Sequence, residues 1–273
     1  MVCMKKIIVI FILFIASIYI SYSQTALTYY NLACSKVKLG DYNGAITDFD
    51  KCIANDATNS KAYYIRGAVK AELNDHNGAL LDFNTAINIE SKDATYYYSR
   101  AFSKMELNDA QGALSDFSKS LELDTKNPES FYNRGIIYAD FNKYSDALSD
   151  FNAAIKINSS NAEYYHNRAA LKTDMQDYSG AVADYNRIVE LNAEDYKAYY
   201  SRAIVKANLK DFKGAIADYS TAISLTPKDA KAFYNRGVAK ANLQDKKGAC
   251  ADWEKSAELG YSKAFEKCKE RCN

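Results

Sequence analysis

Apolar residues recur along this chain at two helical spacings that alternate with polar breaks. One cluster of apolar positions three or four apart gives way to a short polar break. A second such cluster and a second polar break follow, and the whole cycle returns every 34 residues. The stretch from Tyr63 reads YYIRGAVKAELNDHNGALLDFN, and the stretch from Tyr199, 136 residues further on, reads YYSRAIVKANLKDFKGAIADYS. Spacing of this kind predicts two amphipathic helices per cycle, and a fixed period predicts a repeat architecture. Counted from Ala26, seven units fit without insertion or deletion: 26–59, 60–93, 94–127, 128–161, 162–195, 196–229 and 230–263.

Each position of the unit has a physical reading. Position 4 is aromatic (Tyr29, Tyr63, Tyr97, Phe131, Tyr165, Tyr199, Phe233) and so is position 24 (Phe49, Phe83, Phe117, Phe151, Tyr185, Tyr219, Trp253). Position 8 is always Ala or Gly, and position 20 is Ala throughout, from Ala45 to Ala249. Small residues at 8 and 20 let two antiparallel helices approach, and the rings fill the space beside that contact. Gly40, Asn74, Asn108 and Asn142 at position 15 suit a left-handed C-cap. Asp41, Asp75, Asp109, Asp177, Asp211 and Asp245 at position 16 suit the N-cap of the second helix. The periodic glycines at position 19, such as Gly44 and Gly112, read as packing sites. A helix–turn–helix of this size cannot bury its apolar face alone, and stacking on its neighbours supplies the partner.

The period, the small residues at 8 and 20 and the aromatic at 24 resemble the tetratricopeptide repeat over residues 26–263. The resemblance implies an all-α, right-handed superhelical solenoid of seven helix–turn–helix repeats, closed by a C-terminal capping helix at 264–273. Two features depart from the family pattern: its proline at position 32 appears only as Pro227, and its tyrosine at position 11 only as Tyr138.

A charged ladder accompanies the apolar one. Position 23 is Asp in every unit (Asp48, Asp82, Asp116, Asp150, Asp184, Asp218, Asp252), and position 7 is Arg in all but the first (Arg66, Arg100, Arg134, Arg168, Arg202, Arg236), where Leu32 stands. An Arg reaching the Asp of the preceding unit would be superfluous in a unit that nothing precedes. The expectation is therefore inter-repeat pairing of the six arginines with Asp48 through Asp218. The lysines at position 11, one turn on, share the carboxylates. Near-equal numbers make the ladder structural rather than an anion-binding stripe.

The ends differ from the middle. Lys5 and Lys6 precede an apolar run, Ile7 to Ile20, and small residues at 21 and 23 precede Gln24. This is the layout of a secretory signal peptide over 1–23. Fourteen residues make about 21 Å of helix, short of the ~30 Å bilayer core, so cleavage is favoured over a retained anchor. Removing Lys5 and Lys6 with it takes the formal charge from +1 to −1. The remaining cysteines, Cys34, Cys52, Cys250, Cys268 and Cys272, all lie in the first unit, the last unit or the cap. Export permits disulfides there: Cys250 with Cys268 or Cys272, and Cys34 with Cys52, unless that last pair are small buried hydrophobes.

Charge and site chemistry narrow the function. With 35 basic and 34 acidic residues, no basic field points to nucleic acid. The two histidines, His76 and His166, join no nucleophile, phosphate-cradling loop or metal-ligand cluster, so the expectation is a non-enzyme with no cofactor and no small-molecule substrate. The resemblance implies that first helices line a concave groove for an extended peptide or a partner helix. Its implied lining is Tyr64, Tyr98 and Tyr132 from a tyrosine row, Phe102 and Ile136, and an acidic edge of Glu72, Glu106, Asp140 and Asp174. Carboxylates at helix C-termini oppose the dipole, so they either select basic or aromatic segments or are a solvated helix end. The Lys and Asn with which some relatives clamp a terminal carboxylate are missing here. Two functions stay open: an exported, secreted or periplasmic, adaptor that binds protein or peptide partners, or an envelope assembly component held by an uncleaved N-terminus, the one case implying a membrane.

Overall fold

The computed structural model describes residues 23–272. All but the last residue of the expected signal segment 1–23 lies outside the described residues. No described helix is long and apolar enough to cross a membrane. Fifteen helices and no strand occur among the described residues. They run as α1 (23–38), α2 (Tyr42–Asn55), α3 (Ser60–Glu72), α4 (His76–Ile89), α5 (Ala94–Glu106), α6 (Ala110–Leu123), α7 (Pro128–Asp140) and α8 (Tyr144–Ile157). Then come α9 (Ala162–Asp174), α10 (Tyr178–Leu191), α11 (Tyr196–Asn208), α12 (Phe212–Leu225), α13 (Ala230–Asn242), α14 (Lys246–Glu258) and α15 (Ser262–Arg271). The chain divides into two compact units at Ser130/Phe131. Within the first, α2, α3, α4, α5 and α6 pack each on the next, and α3 also touches α5. Within the second, α8 to α15 do the same, and α11 touches α13.

Turn chemistry sets the helix boundaries. Position 15 has positive φ in all seven repeats, at Gly40, Asn74, Asn108, Asn142, Gln176, Lys210 and Gln244. The next residue then caps the second helix: the Asp109 carboxylate accepts the Gly112 N–H at 2.9 Å, and Asp41, Asp75, Asp177, Asp211 and Asp245 do the same to the glycine three residues on. A Cβ at Gly112 would overlap that carboxylate. These glycines are therefore seats for the capping side chain rather than helix-packing sites. The fourth repeat shows the coupling, because Lys143 replaces the Asp, Asp146 replaces the Gly, and no side chain caps α8. Glycines at position 8 do pack: a Cβ at Gly67 would press on the Phe83 ring, at 2.9 Å.

Ala45, Ala79, Ala113, Ala147, Ala181, Ala215 and Ala249 are buried, and the rings of position 24 are buried beside them. Each such ring is worth roughly 1.5–3 kcal/mol of hydrophobic stabilisation. Repeats meet through residues of matched size: Ala86 and Tyr96 share one core cluster, Ala154 with Tyr164 and Ile188 with Ala198 another. Ser120 and Ser130 meet by a hydrogen bond of 3.1 Å.

The ladder corrects an expectation. Arg100 does not reach Asp82 of the preceding repeat. Its Nε and Nη2 donate to Asp116 of its own repeat at 2.8 and 2.6 Å, and Lys104 shares that carboxylate at 2.7 Å. Arg66, Arg134, Arg168, Arg202 and Arg236 fork in the same way onto Asp82, Asp150, Asp184, Asp218 and Asp252. The guanidinium lies over the ring at position 4, as Arg100 over Tyr97 at 5.5 Å. The link between repeats is instead the remaining nitrogen, with which Arg66, Arg100, Arg168, Arg202 and Arg236 reach Asp50, Asn84, Asn152, Asn186 and Ser220. Asp48, with no Arg in its repeat, binds Lys36 at 2.6 Å, and this bond holds its carboxyl below the usual range against the opposing effect of burial.

The last helix also differs from expectation. It starts at Ser262, two residues before 264, because Gly260 at φ 90° ends α14 early. Its Ser-Lys-Ala-Phe start then copies the Ser-Lys-Ala-Tyr start of α3, and Ala264 is buried as Ala62 is. Cys250 of α14 is joined to Cys272 beyond α15, with Cα atoms 5.6 Å apart. Cys34, Cys52 and Cys268 are thiols. No Cys34–Cys52 bridge is present, and burial pushes the Cys52 thiol up to about 11.

Candidate functional site

The nominated groove residues part company in the structure. Tyr132 is 7% exposed, so it belongs to the core and not to an open groove. Its ring lies 4.9 Å from that of Tyr164, and its oxygen accepts from Asn167 Nδ2 at 2.6 Å. Tyr64 meets Tyr96 at 4.9 Å in the same manner, and Tyr200 accepts from Asn235 at 3.0 Å. At Tyr64, Tyr132 and Tyr200 the row is thus a seam with the next first helix. Ile136 is half-buried against the core of the second unit. His166, which interrupts the row, bonds through Nε2 to Asp195, the cap of α11.

Three nominated residues do come together. Glu72, Tyr98 and Phe102 line a hollow of about 290 Å³ in the first unit, where α3, the start of α4 and α5 meet. Ala68 and Ala71 of α3, His76 and Phe83 of α4, and Ser99 and Ser103 of α5 complete it. Phe102 is 45% exposed, an aromatic ring left at the surface. Its column holds Ala68, Ala170, Val238 and other smaller residues in the remaining repeats. The small Ala68 opposite makes the room.

Two polar atoms of the hollow have no hydrogen-bond partner among the described residues. His76 Nδ1 and Ser103 Oγ are buried and unbonded. Glu72 and Glu106 on the first unit are exposed and form no ion pair there, and the same holds for Asp140 and Asp174 on the second. The neighbouring lysines Lys70 and Lys104 are engaged by Asp82 and Asp116. In each unit the first helices therefore carry carboxylates that no described residue pairs.

Ser103 and His76 were not nominated, although the sequence carried a signal for both. Position 10 is apolar in Val69, Ile137, Leu171, Val205 and Ala239, and Ser35 and Ser103 break that column. Position 17 holds Tyr42, Ala110, Tyr144, Tyr178, Phe212 and Lys246 where His76 stands. A second, more open hollow of about 650 Å³ lies between α11 and α15, lined by Tyr196, Tyr200 and Tyr261 with Lys197, Lys228 and Lys231, none of them nominated. Within it the Tyr196 hydroxyl donates to Asp229. No described group of three or more His, Cys, Asp or Glu is placed to hold a metal ion.

Sequence models described as tetratricopeptide repeat match residues 26–59, 98–162 and 162–195, and one described as TPR repeat matches 207–244. No curated protein matches the chain. Among solved structures, the C-terminal part of a TPR repeat-containing protein from Cytophaga hutchinsonii aligns with a TM-score of 0.77 at 18% identity, over 87% of this chain and 98% of its own. A tetratricopeptide repeat protein from Parabacteroides merdae aligns at 0.63 and 22% identity, over 92% and 100%. YrrB, described as a TPR protein with an unusual peptide-binding site, aligns at 0.63 and 25% identity, over 68% and 97%.

Proposed function

Because the chain belongs to the tetratricopeptide repeat family, we propose that it is an exported scaffold that holds peptide segments or helices of partner proteins on the face of its first helices. The observation that carries the reading is the hollow at α3, α4 and α5. There an exposed ring, Phe102, stands beside Glu72, which forms no ion pair with a described residue. Aromatic surface next to an unpaired charge is what a polypeptide partner can use, the ring for contact area and the charge for selection. The peptide-binding site named for YrrB supports the class of partner. Export rests on the charged and apolar pattern of residues 1–23 and agrees with a Cys250–Cys272 bridge, a bond that lasts in oxidising compartments.

Two measurements test this. A random-peptide library selected on the full chain, with counter-selection on a Phe102→Glu variant, is expected to enrich sequences that need the ring. Enrichment indifferent to Phe102, or none, refutes the binding face. N-terminal sequencing after expression in a secreting host is expected to read from Gln24. An intact residue 1–23 segment would instead favour a membrane-held assembly component.

A further inference from the structure

We infer that the hollow between α3, α4 and α5 is an anchor for one arginine side chain of the partner. The inference rests on the reading of this face as a peptide-binding surface. At about 290 Å³ the hollow lies at the small end of ligand-sized cavities, about 300–1,000 Å³, which suits one long side chain rather than a whole molecule.

Its polar groups present acceptors. Ser103 is 1% exposed and its Oγ is unbonded, unlike Ser35 of the same column, which donates to the Asn31 carbonyl at 2.9 Å. His76 Nδ1 is buried and unbonded too, and with the ring proton on Nε2 it is a lone pair. The Glu72 carboxylate stands at the rim, and Glu106 is one helical turn beyond Phe102. A hydroxyl oxygen, an imidazole nitrogen with its proton on Nε2 and a carboxylate together favour a ligand rich in donors. Guanidinium has five N–H donors in a plane and no acceptor, and it stacks on rings such as Phe102 and Tyr98. An ammonium group offers three donors about one point and stacks poorly, so it would leave one of the buried acceptors bare at a cost. The two buried atoms come from different repeats, in columns that are apolar in most of the others.

The test uses the full chain and a capped heptapeptide, Ala-Ala-Tyr-Arg-Ala-Ala-Ala, with versions carrying lysine or citrulline in place of arginine. Binding is measured by calorimetry. Citrulline keeps the shape of arginine, loses the charge and turns one donor nitrogen into an oxygen. The expected order is arginine, lysine, citrulline, with at least about a tenfold gap from first to last. The variants are His76→Tyr and Ser103→Val, alone and combined. Tyr42 and Val69 already occupy those columns, so the variants keep the packing of their own repeats. The double variant is expected to bring arginine down to the affinity of lysine while moving lysine less than twofold. Equal binding of citrulline and arginine overturns the inference, and so does an unchanged preference in the double variant. A Phe102-dependent dimer of the chain alone in sedimentation overturns it as well, since a second copy would then occupy the hollow. Library peptides that owe nothing to arginine refute the anchor and leave the broader reading standing, whereas a library yielding nothing refutes both.

Discussion

Removing the Arg100 guanidinium tests how the repeats are held. It withdraws two charge-assisted bonds from Asp116, at 2.8 and 2.6 Å, each worth about 1.5–3 kcal/mol. It also withdraws the 2.7 Å link to Asn84, worth about 1 kcal/mol, and the stacking on Tyr97, worth about 0.5–1 kcal/mol. Asp116 is 5% exposed, and an unpaired charge there would cost roughly 3–5 kcal/mol. Lys104 stays at 2.7 Å and offsets part of that. Arg100 itself is 18% exposed, so water recovers some of the remainder. The net expectation for Arg100→Ala is a loss of about 3 kcal/mol. Combined with Asp116→Ala it should show a coupling of about 1–2 kcal/mol, whereas with Asp82→Ala the two losses should add to within about 0.5 kcal/mol. Urea unfolding followed by circular dichroism gives the energies. Repeat arrays need not unfold in one step, so hydrogen exchange should place the loss in the third repeat. A larger coupling to Asp82 than to Asp116 would refute pairing within the repeat. A wild-type midpoint for Arg100→Ala would refute any energetic role.

The capping pair gives a prediction in both directions. Gly112→Ala and Asp109→Ala should each cost about 1–2 kcal/mol and fail to add, while Lys143→Asp with Asp146→Gly should stabilise by about 1 kcal/mol in thermal melts. Lys210→Gly, at φ 62°, should stabilise by about 1 kcal/mol in the same melts, since it relieves a left-handed side chain. Because Lys36 holds the Asp48 carboxyl below its usual range, the stability it supplies is present at neutral pH and lost only as pH falls through that lowered value. Acid titration of Lys36→Met should therefore show unfolding beginning at higher pH. Cys272→Ser opens a 22-residue loop, worth roughly 3 kcal/mol in the chain-entropy view, and proteolysis should then release α15 first.

Much of this fold could be read from period and residue size alone. A 34-residue return with small residues at 8 and 20 leaves few arrangements other than stacked helix hairpins, and Asp109 and Asn108 mark the turn between α5 and α6 by their local chemistry. The direction of the ladder could not be read in this way. Arg100 lies 16 residues before Asp116 and 18 after Asp82, and a column of identical residues looks the same whichever neighbour is chosen. The structure decides it through the ring at position 4, which holds the guanidinium against its own second helix. Likewise Tyr132 and Tyr98 share a column, yet Tyr164 covers the first while the second lines the hollow, because the neighbour at position 3 differs from repeat to repeat. Gln176 and Lys210 adopt positive φ with no residue preference to announce it, since the Asp after each fixes the turn.

Departures from the period fall into two kinds, and the difference bears on function. In the first kind one change answers another inside the chain. Lys143 arrives together with Asp146, Tyr96 faces Ala86, Tyr164 faces Ala154, and Ile188 faces Ala198. Such pairs conserve volume or exchange one turn chemistry for another, and stability explains them. Ser103 and His76 are of the second kind. Each places a polar atom in a column that is apolar in most other repeats, and Ser103 Oγ and His76 Nδ1 find no hydrogen-bond partner among the described residues. A buried acceptor left in that state costs about 1–3 kcal/mol, and here two such costs fall on the same hollow, next to an exposed ring and an unpaired carboxylate. Stability alone would remove both, since Val and Tyr fit those columns elsewhere in this chain. A donor from outside the repeat array would offset both costs at once, which is what the proposed arginine supplies.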